Sequence, residues 1–513
     1  MKYKSYISDL HVNLHPDQME KLDQWYQHMR KVADFFTIAY YPYHMVSVNS
    51  DFETEEEIDP TLMQKQWENI INYLKIRGRK DKFISFLGYE WQGTGEDGDH
   101  NIYFKENHGE ILLMPRYHDL VAAFKDQDVI AIPHHLGYSV GNRGKNWTTN
   151  DDEFSPIVEI YSHHGSSESD QTNLPMARHH HMGPRVDGGT VKEGIKQAYH
   201  FGIIASGDNH EVPALVKHGR AGVWAENYTK DALWSAIKNR RTFGFTDSII
   251  KIWMEAADQP MGSIIESDNP TETITAKVTS NSKIERFELY KDGCISAIGL
   301  APQPTDTNNK EITFKFKVEC GWGPDVKFFP DLAEKDWIGQ ITTSGTFLSV
   351  EPAYNSFQND YKLINEHTVN FTATSHQSVK KDNWMRDNSL KNEGFIFEVT
   401  APINSEISIT INNKKSKLTV KELLAKSHLS VYEDEAKLLL QERANLTEYY
   451  RSDSWYHNAY KVKFHRAATK NEYMINQTFT IPVTEHETNY FVKVVQADGQ
   501  TGWSSPVWIV EKK

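Results

Sequence analysis

Residues 7–15 read ISDLHVNLH. An alternating, strand-like run ends in Asp9 and His11, and Asn13 and His15 follow at two-residue spacing where a solvated loop should begin. The arrangement recurs along the first half of the chain. GYEW delivers Glu90, GDHN delivers His100, and IPHH delivers His134 and His135. EIYSHHG adds Glu159, His163 and His164, and SGDNH adds Asp208 and His210. In a parallel (β/α) barrel all such strand ends open onto one face, where catalytic residues collect. Imidazoles and carboxylates converging there form the donor set of a Zn, Mn or Fe site. The repetition carries this reading, since any one of these histidines alone would be weak.

At 513 residues the chain exceeds a single hydrophobic core, and two or three domains are expected. Its 56 basic and 70 acidic residues leave a formal charge of −14, which argues against broad nucleic-acid or anionic-membrane binding. No apolar stretch approaches the roughly 20 residues of a membrane span. The opening MKYKSYISDLH lacks an apolar signal core, so the compartment stays open between cytoplasm and, after removal of a signal, periplasm. Cys294 and Cys320 lack metal-site spacing and are expected as buried free thiols, with pairing across neighbouring strands as the alternative. A metal site would therefore rest on carboxylates and the 23 histidines. Composition says nothing of oligomeric state.

Strand-like runs (YISDLH, FFTIAYY, FISFLGYEW, HNIYF, VIAIPHH, IVEIYSH, GIIASGD and AGVWAE) alternate with helical patterns. In residues 59–79, Leu62, Met63, Trp67, Ile70, Ile71 and Leu74 recur at spacings of three and four, one apolar helix face. Helices are also expected over 190–201 and 229–240. This βα alternation predicts a parallel sheet and a (β/α) barrel, regular or distorted, over residues 1–248. From 249 to 513 short alternating segments such as ITFKFKVE, GFIFEVTA and YFVKVVQADG predict an antiparallel β-sandwich. A polar, irregular region from 327 to 395 and helical runs beyond it read as a loop-rich and helical insertion around 327–475.

His11, Glu90, His134, Asp208 and His210 are the metal-ligand candidates, joined by His164, with which His163 competes. Asp9, on the opposite side of its strand, reads as an orienting partner. Glu159 stays open between ligand, substrate contact and buried partner. Asn13 is a poor ligand for a soft metal and suits substrate binding.

DLHVN, GYEW, IPHH, VEIYSHHGSSE and ASGDNH resemble the strand-end motifs of the PHP superfamily, named for polymerase and histidinol phosphatase. RAGVWAENYTKDALWSAIKNRRTFGFT and VKVVQADGQTGWSSPVWIV resemble a poorly characterised bacterial branch of it that carries an added C-terminal β domain. The resemblance implies a distorted (β/α)7 barrel, a cluster of up to three metals and hydrolysis of phosphate esters. Family members carry His-x-His in their first motif, and Asn13 stands at its second position. Their second motif ends in Asp-His, and here Tyr40 and Tyr41 precede His44. Fewer ligands imply one or two ions, Zn or Mn. His11, Glu90, Asp208 and His134 carry over best.

Tyr41, His44, His100 and His135 are acid/base candidates. The run ARHHHMGPR brings Arg178, His180 and Arg185 toward the same rim, where guanidinium groups would hold an anion. Three functions are carried forward. The first is a metal-dependent hydrolase acting on an anionic substrate, foremost a phosphate ester. The second is a metal-dependent lyase or glycoside hydrolase acting on a uronate-containing polysaccharide, and the third a non-catalytic glycan-binding protein. GTGEDG at 93–98 is followed by a strand rather than a helix, which removes a dinucleotide site. Neither G-x-S-x-G nor G-x-x-x-x-G-K-[ST] occurs.

Overall fold

Strand β1 (Lys4–Ser8) is followed by β2 (Asn13–Leu14), helix α1 (Leu22–Val32) and β3 (Phe36–Tyr40). A hairpin of β4 (Tyr43–Asn49) and β5 (Phe52–Glu57) leads to α2 (Pro60–Lys80). Then come β6 (Ser85–Trp91), β7 (His100–Phe104), α3 (Tyr117–Phe124), β8 (Val129–Pro133), β9 (Ile157–Ser162), β10 (Gly165–Ser166) and α4 (Val191–Lys196). β11 (Gly202–Ala205), β12 (Arg220–Ala225), α5 (Lys230–Lys238) and β13 (Thr242–Phe245) complete this half. The computed structural model describes residues 2–49, 52–176, 182–208, 210, 218–300, 311–325, 328–354, 359–376, 392–448 and 454–512. By its contacts the chain divides into a first unit of residues 1–279, 285–300 and 476–513, and a second of 280–284 and 301–475. The change of sequence texture at residue 249 falls inside the first unit.

Local chemistry explains the helices. Asp59 caps α2 by accepting from the Thr61 and Leu62 amides at 3.0 Å, with Pro60 preset for the first turn. Trp67, Ile70 and Leu74 form its buried face. The Thr229 hydroxyl caps α5, whose Leu233, Trp234, Ala236 and Ile237 are buried. The expected helix over 190–201 shrinks to α4, because Ala198 turns left-handed at φ 62°.

The first unit is mixed α/β with several sheets. One sheet runs β2-β3-β6-β7-β8, another β10-β9-β11. A third begins β1-β12-β13 and continues through residues 501–504, 488–496, 284–291 and 294–300. The βα alternation predicts parallel pairing throughout, and the structure is parallel only in part here. β2–β3, β3–β6 and β9–β11 are parallel, whereas β6–β7, β7–β8 and β1–β12 are antiparallel. Only residues 92–99 separate β6 from β7, too short a link for the crossover that a parallel pair needs. The three sheets nonetheless feed one apolar cluster, in which Ala39, Phe86, Ile132, Ile157, Ile204 and Val223 are all buried.

The second unit pairs two antiparallel sheets. One contains 346–352, 393–402, 311–321, 461–464 and 428–431 in spatial order. The other contains 360–365, 368–376, 334–343, 406–411 and 414–419. Phe314, Phe316 and Val318 of the first share a core with Trp337, Ile341 and Phe371 of the second. Residues 334–376, expected to be irregular, thus carry four strands. Their polar residues lie on solvated faces, as in the alternating burial of 334–343. Both cysteines are free, and Cys294 is exposed rather than buried.

Two features of these cores are testable. In the first unit the Lys493 ammonium contacts both Glu168 oxygens at 2.8 and 2.9 Å, and both side chains are buried. Lys493→Met strands the Glu168 carboxylate and is expected to cost about 3–5 kcal/mol, read from urea unfolding of the full chain. In the second unit Glu319 accepts from Tyr354 (2.9 Å), Asn392 (3.0 Å) and His465 (2.6 Å). Burial opposes its charge, but the His465 bond, the Lys317 charge and Asn392 hold it down at about 2, from an ordinary 4.5. Because the folded value lies below the unfolded one, this stabilisation is complete above pH 4.5. It is lost as pH falls from 4.5 toward 2, about 3 kcal/mol in all. Hydrogen exchange in strand 311–321 should show that loss, and Glu319→Gln should flatten it.

Candidate metal centre

Seven side chains from distant strand ends meet in the first unit. His11 lies in the link between β1 and β2, and Glu90 is the penultimate residue of β6. Asp99 immediately precedes β7, and His134 and His135 follow β8. His164 occupies the turn between β9 and β10, and Asp208 comes shortly after β11. All seven are buried, none more than 3% exposed.

Their polar atoms face one another. His11 Nε2 lies 3.4 Å from Glu90 and 3.3 Å from Asp208. Asp208 is also 3.2 Å from His164 Nε2, and Asp99 is 3.3 Å from His135 Nε2. The ring centroids of His11 and His134 are 4.3 Å apart, those of His134 and His135 4.4 Å. Three overlapping triads, His11–His134–Asp208, Asp99–His134–His135 and His135–His164–Asp208, each bring three donor atoms within 4.8 Å of one another.

A surrounding set of hydrogen bonds aims these donors. His11 Nδ1 lies 2.9 Å from Glu159, which also accepts from Ser206 at 2.6 Å. With the proton on Nδ1, the Nε2 lone pair is directed into the cluster. Tyr138 sits 2.8 Å from His164 Nδ1 and plays the same part. Asp9 accepts the His11 amide at 3.0 Å and the Gly207 amide at 2.7 Å, and a Cβ at Gly207 would come within 2.3 Å of the Asp9 carboxylate. His135 (φ 34°), Arg143 (φ 69°) and Asp208 (φ 48°) are left-handed without being glycine, a costly conformation that clusters at functional sites.

The donor set suits a divalent cation. Both ring nitrogens of His134, Nδ1 of His135 and one oxygen of Asp99 are buried without a hydrogen-bond partner. Such atoms are rare in folded proteins, and imidazole and carboxylate together are the ligands of Zn and Mn. In the bare protein the charges compensate mutually. Burial disfavours the His11 imidazolium, yet Asp208 and Glu159 lift its pKa well above the usual range. Burial likewise opposes the Glu90 and Asp208 charges, but the facing histidines hold both carboxyls well below theirs.

The other residues singled out by sequence lie variously. His210 is half-buried, 3.2 Å from the Asn13 amide, 3.7 Å from Asp208 and 2.6 Å from His15. Burial and His210 push His15 down to about 3. Tyr41 donates to Glu55 and packs on the rings of His15 and His210. His44 is exposed on β4. His100 is buried with Nδ1 on the Gly98 carbonyl and Nε2 3.2 Å from the Lys145 ammonium, and belongs to none of the three triads. Arg185 spends its guanidinium on the carbonyls of Ser166, Leu174, Asp170 and Thr172. Arg178 and His180 lie outside the described residues. Asp99, Arg143 and Tyr138 escape the sequence reading. Asp99 is adjacent to His100 in GDHN, and strand alternation turns it, rather than His100, toward the cluster.

No protein-family model matches the chain. An uncharacterized protein of Chlamydia pneumoniae is 25% identical over 269 residues, 48% of this chain and 42% of that protein. Uncharacterized proteins of Chlamydia trachomatis and Chlamydia muridarum are 24% and 22% identical over 47% and 48% of this chain and 42% of each of theirs. The chain thus spans less than half the length of the curated relatives it matches. Among solved structures, a two-domain protein containing a predicted PHP-like metal-dependent phosphoesterase from Bacteroides vulgatus overlays at a TM-score of 0.31 with 10% identity, covering 82% of this chain and 96% of that one. That score is too low to carry an argument about fold or function.

After dialysis against Zn or Mn, elemental analysis should find metal in the wild type. Asp208→Asn should lose most of it, because Asp208 serves two of the three triads. Glu159→Gln should weaken it by about 10–100-fold through a misdirected His11. His100→Ala should retain it.

Proposed function

We propose that the first unit is a metal-dependent hydrolase of phosphate esters, built as a distorted barrel of PHP type, in a chain whose second unit is a β-sandwich. The observation that carries this reading is the convergence of buried His11, Glu90, Asp99, His134, His135, His164 and Asp208, with donor atoms left unpaired among them. These seven would hold one or two ions, Zn or Mn. A divalent ion so held supplies Lewis-acid polarisation of a phosphoryl oxygen and a lowered pKa for water.

The protein's own groups complete the site. Glu159 and Tyr138 keep the His11 and His164 rings oriented. The half-buried His210, backed by His15 at 2.6 Å, would give a proton to a departing alkoxide. Asn13, beside His210, offers an amide to substrate. Tyr41 fixes Glu55 and thereby the base of the β4–β5 hairpin. Arg185, one of the two arginines expected to hold the substrate's anion, donates instead to the carbonyls of Ser166 and Leu174.

The test is release of inorganic phosphate from aryl and sugar phosphates by the full chain loaded with Zn or Mn. Turnover should vanish with a chelator, return with metal, and fall to the chelated level in Asp208→Asn. Turnover indifferent to both treatments would overturn the reading.

A further inference from the structure

Arg143 differs from every other charged group at the centre. Among the described residues it is the only Lys or Arg in ion-pair contact with the cluster carboxylates. Nε and Nη2 both lie 2.6 Å from Asp99, Nη2 is 4.0 Å from Glu90, and Nη1 donates to Glu55 at 3.0 Å. Its left-handed backbone is held by the amide bond to the Gly95 carbonyl at 2.8 Å. The Arg143 side chain is 26% exposed and Glu55 27%, whereas Asp99 and Glu90 are 0% and 3% exposed. The pair therefore forms the solvent-facing edge of an otherwise buried cluster.

The two carboxylates on Arg143 are not equivalent. Asp99 is enclosed, also faces His135, and belongs to one of the metal triads. Glu55 comes from the β4–β5 hairpin, belongs to no triad, and meets the guanidinium through a single hydrogen bond. Its other oxygen is held by the Tyr41 hydroxyl, which also accepts from Gln92 at 3.0 Å. A guanidinium presents five donors in a planar fork that matches two oxygens of a phosphate. Glu55 engages only one arm of that fork.

We propose that Arg143 is the receptor for the substrate's phosphate group and that Glu55 is an internal anion which the phosphate displaces from Nη1. This rests on reading the cluster as a metal centre for phosphate esters. It adds the residue that selects the anion and the carboxylate that competes with it. A neutral ester gains nothing from the exchange, so the pair favours substrates with an unesterified, doubly charged phosphate. Glu55 keeps the guanidinium neutralised while no substrate is bound.

The experiment is equilibrium dialysis of inorganic phosphate against the full chain, Zn-loaded and chelator-treated, with metal content measured in parallel. Glu55→Gln should bind phosphate more tightly, by up to about 5-fold, the worth of a half-exposed ion pair. Arg143→Gln should bind it about 10–100-fold more weakly, and Arg143→Lys should fall between, having charge without the fork. The double variant Glu55→Gln/Arg143→Gln should bind no better than Arg143→Gln. A damaged fold cannot tighten binding, so Glu55→Gln separates competition from a structural role. Phosphate binding that is unchanged or weaker in Glu55→Gln, unchanged in Arg143→Gln, or absent in the wild type overturns the proposal. A wild type that takes up no metal overturns the metal reading instead, and the chelator-treated series still decides the role of Arg143.

Discussion

The site depends on one carboxylate that belongs to none of the three triads. Asp9 accepts the amide of His11, two residues on, and the amide of Gly207, 198 residues on. The Asp208 amide then donates to the His11 carbonyl at 3.2 Å. These bonds hold two strand ends far apart in sequence at one separation, which sets the distance between the His11 imidazole and the Asp208 carboxylate. Gly207 is required because any side chain would occupy the space of the Asp9 oxygens. A buried carboxylate held by two backbone amides is hard to move.

Around that anchor the protein gathers several carboxylates and imidazoles that are almost wholly buried. Such an arrangement is costly unless each charge meets its opposite, and here they meet pairwise: His11 with Glu90 and Asp208, His164 with Asp208, His135 with Asp99. Strain is added where His135, Arg143 and Asp208 adopt left-handed backbones. An assembly that carries both unpaired buried atoms and local strain is held by the surrounding core, not by its own contacts.

Much of this was legible in the sequence, because fully buried strands and their polar ends stand out as composition. HNIYF, VIAIP and IVEIYS are strands in the structure, and residues flanking them (Asp99 before the first, His134 and His164 after the others) reach the cluster. What escaped depends on parity and on loops. Asp99 and His100 are neighbours, and which of them faces inward depends on where β7 begins. His134 and His135 both reach the site because φ at His135 breaks the alternation. Arg143 sits in a loop where no period operates. Helix α1, with Trp25, Tyr26 and Met29 on its buried face, was missed among polar residues. The antiparallel pairing of β6 with β7 follows from a link too short to cross over, a constraint of loop length that the βα rhythm conceals.

The pairing of β13 with residues 501–504 bears on how the chain is made. A ribosome delivers β13 some 250 positions before its partner, and until then one edge of the β1–β12–β13 sheet stands open. Residues 301–475 emerge in that interval and form a self-contained unit. The inserted unit can thus finish folding while the first unit, with its clustered imidazoles and carboxylates, still waits for residues 488–504, so the later-completed unit is the one whose strands were begun first.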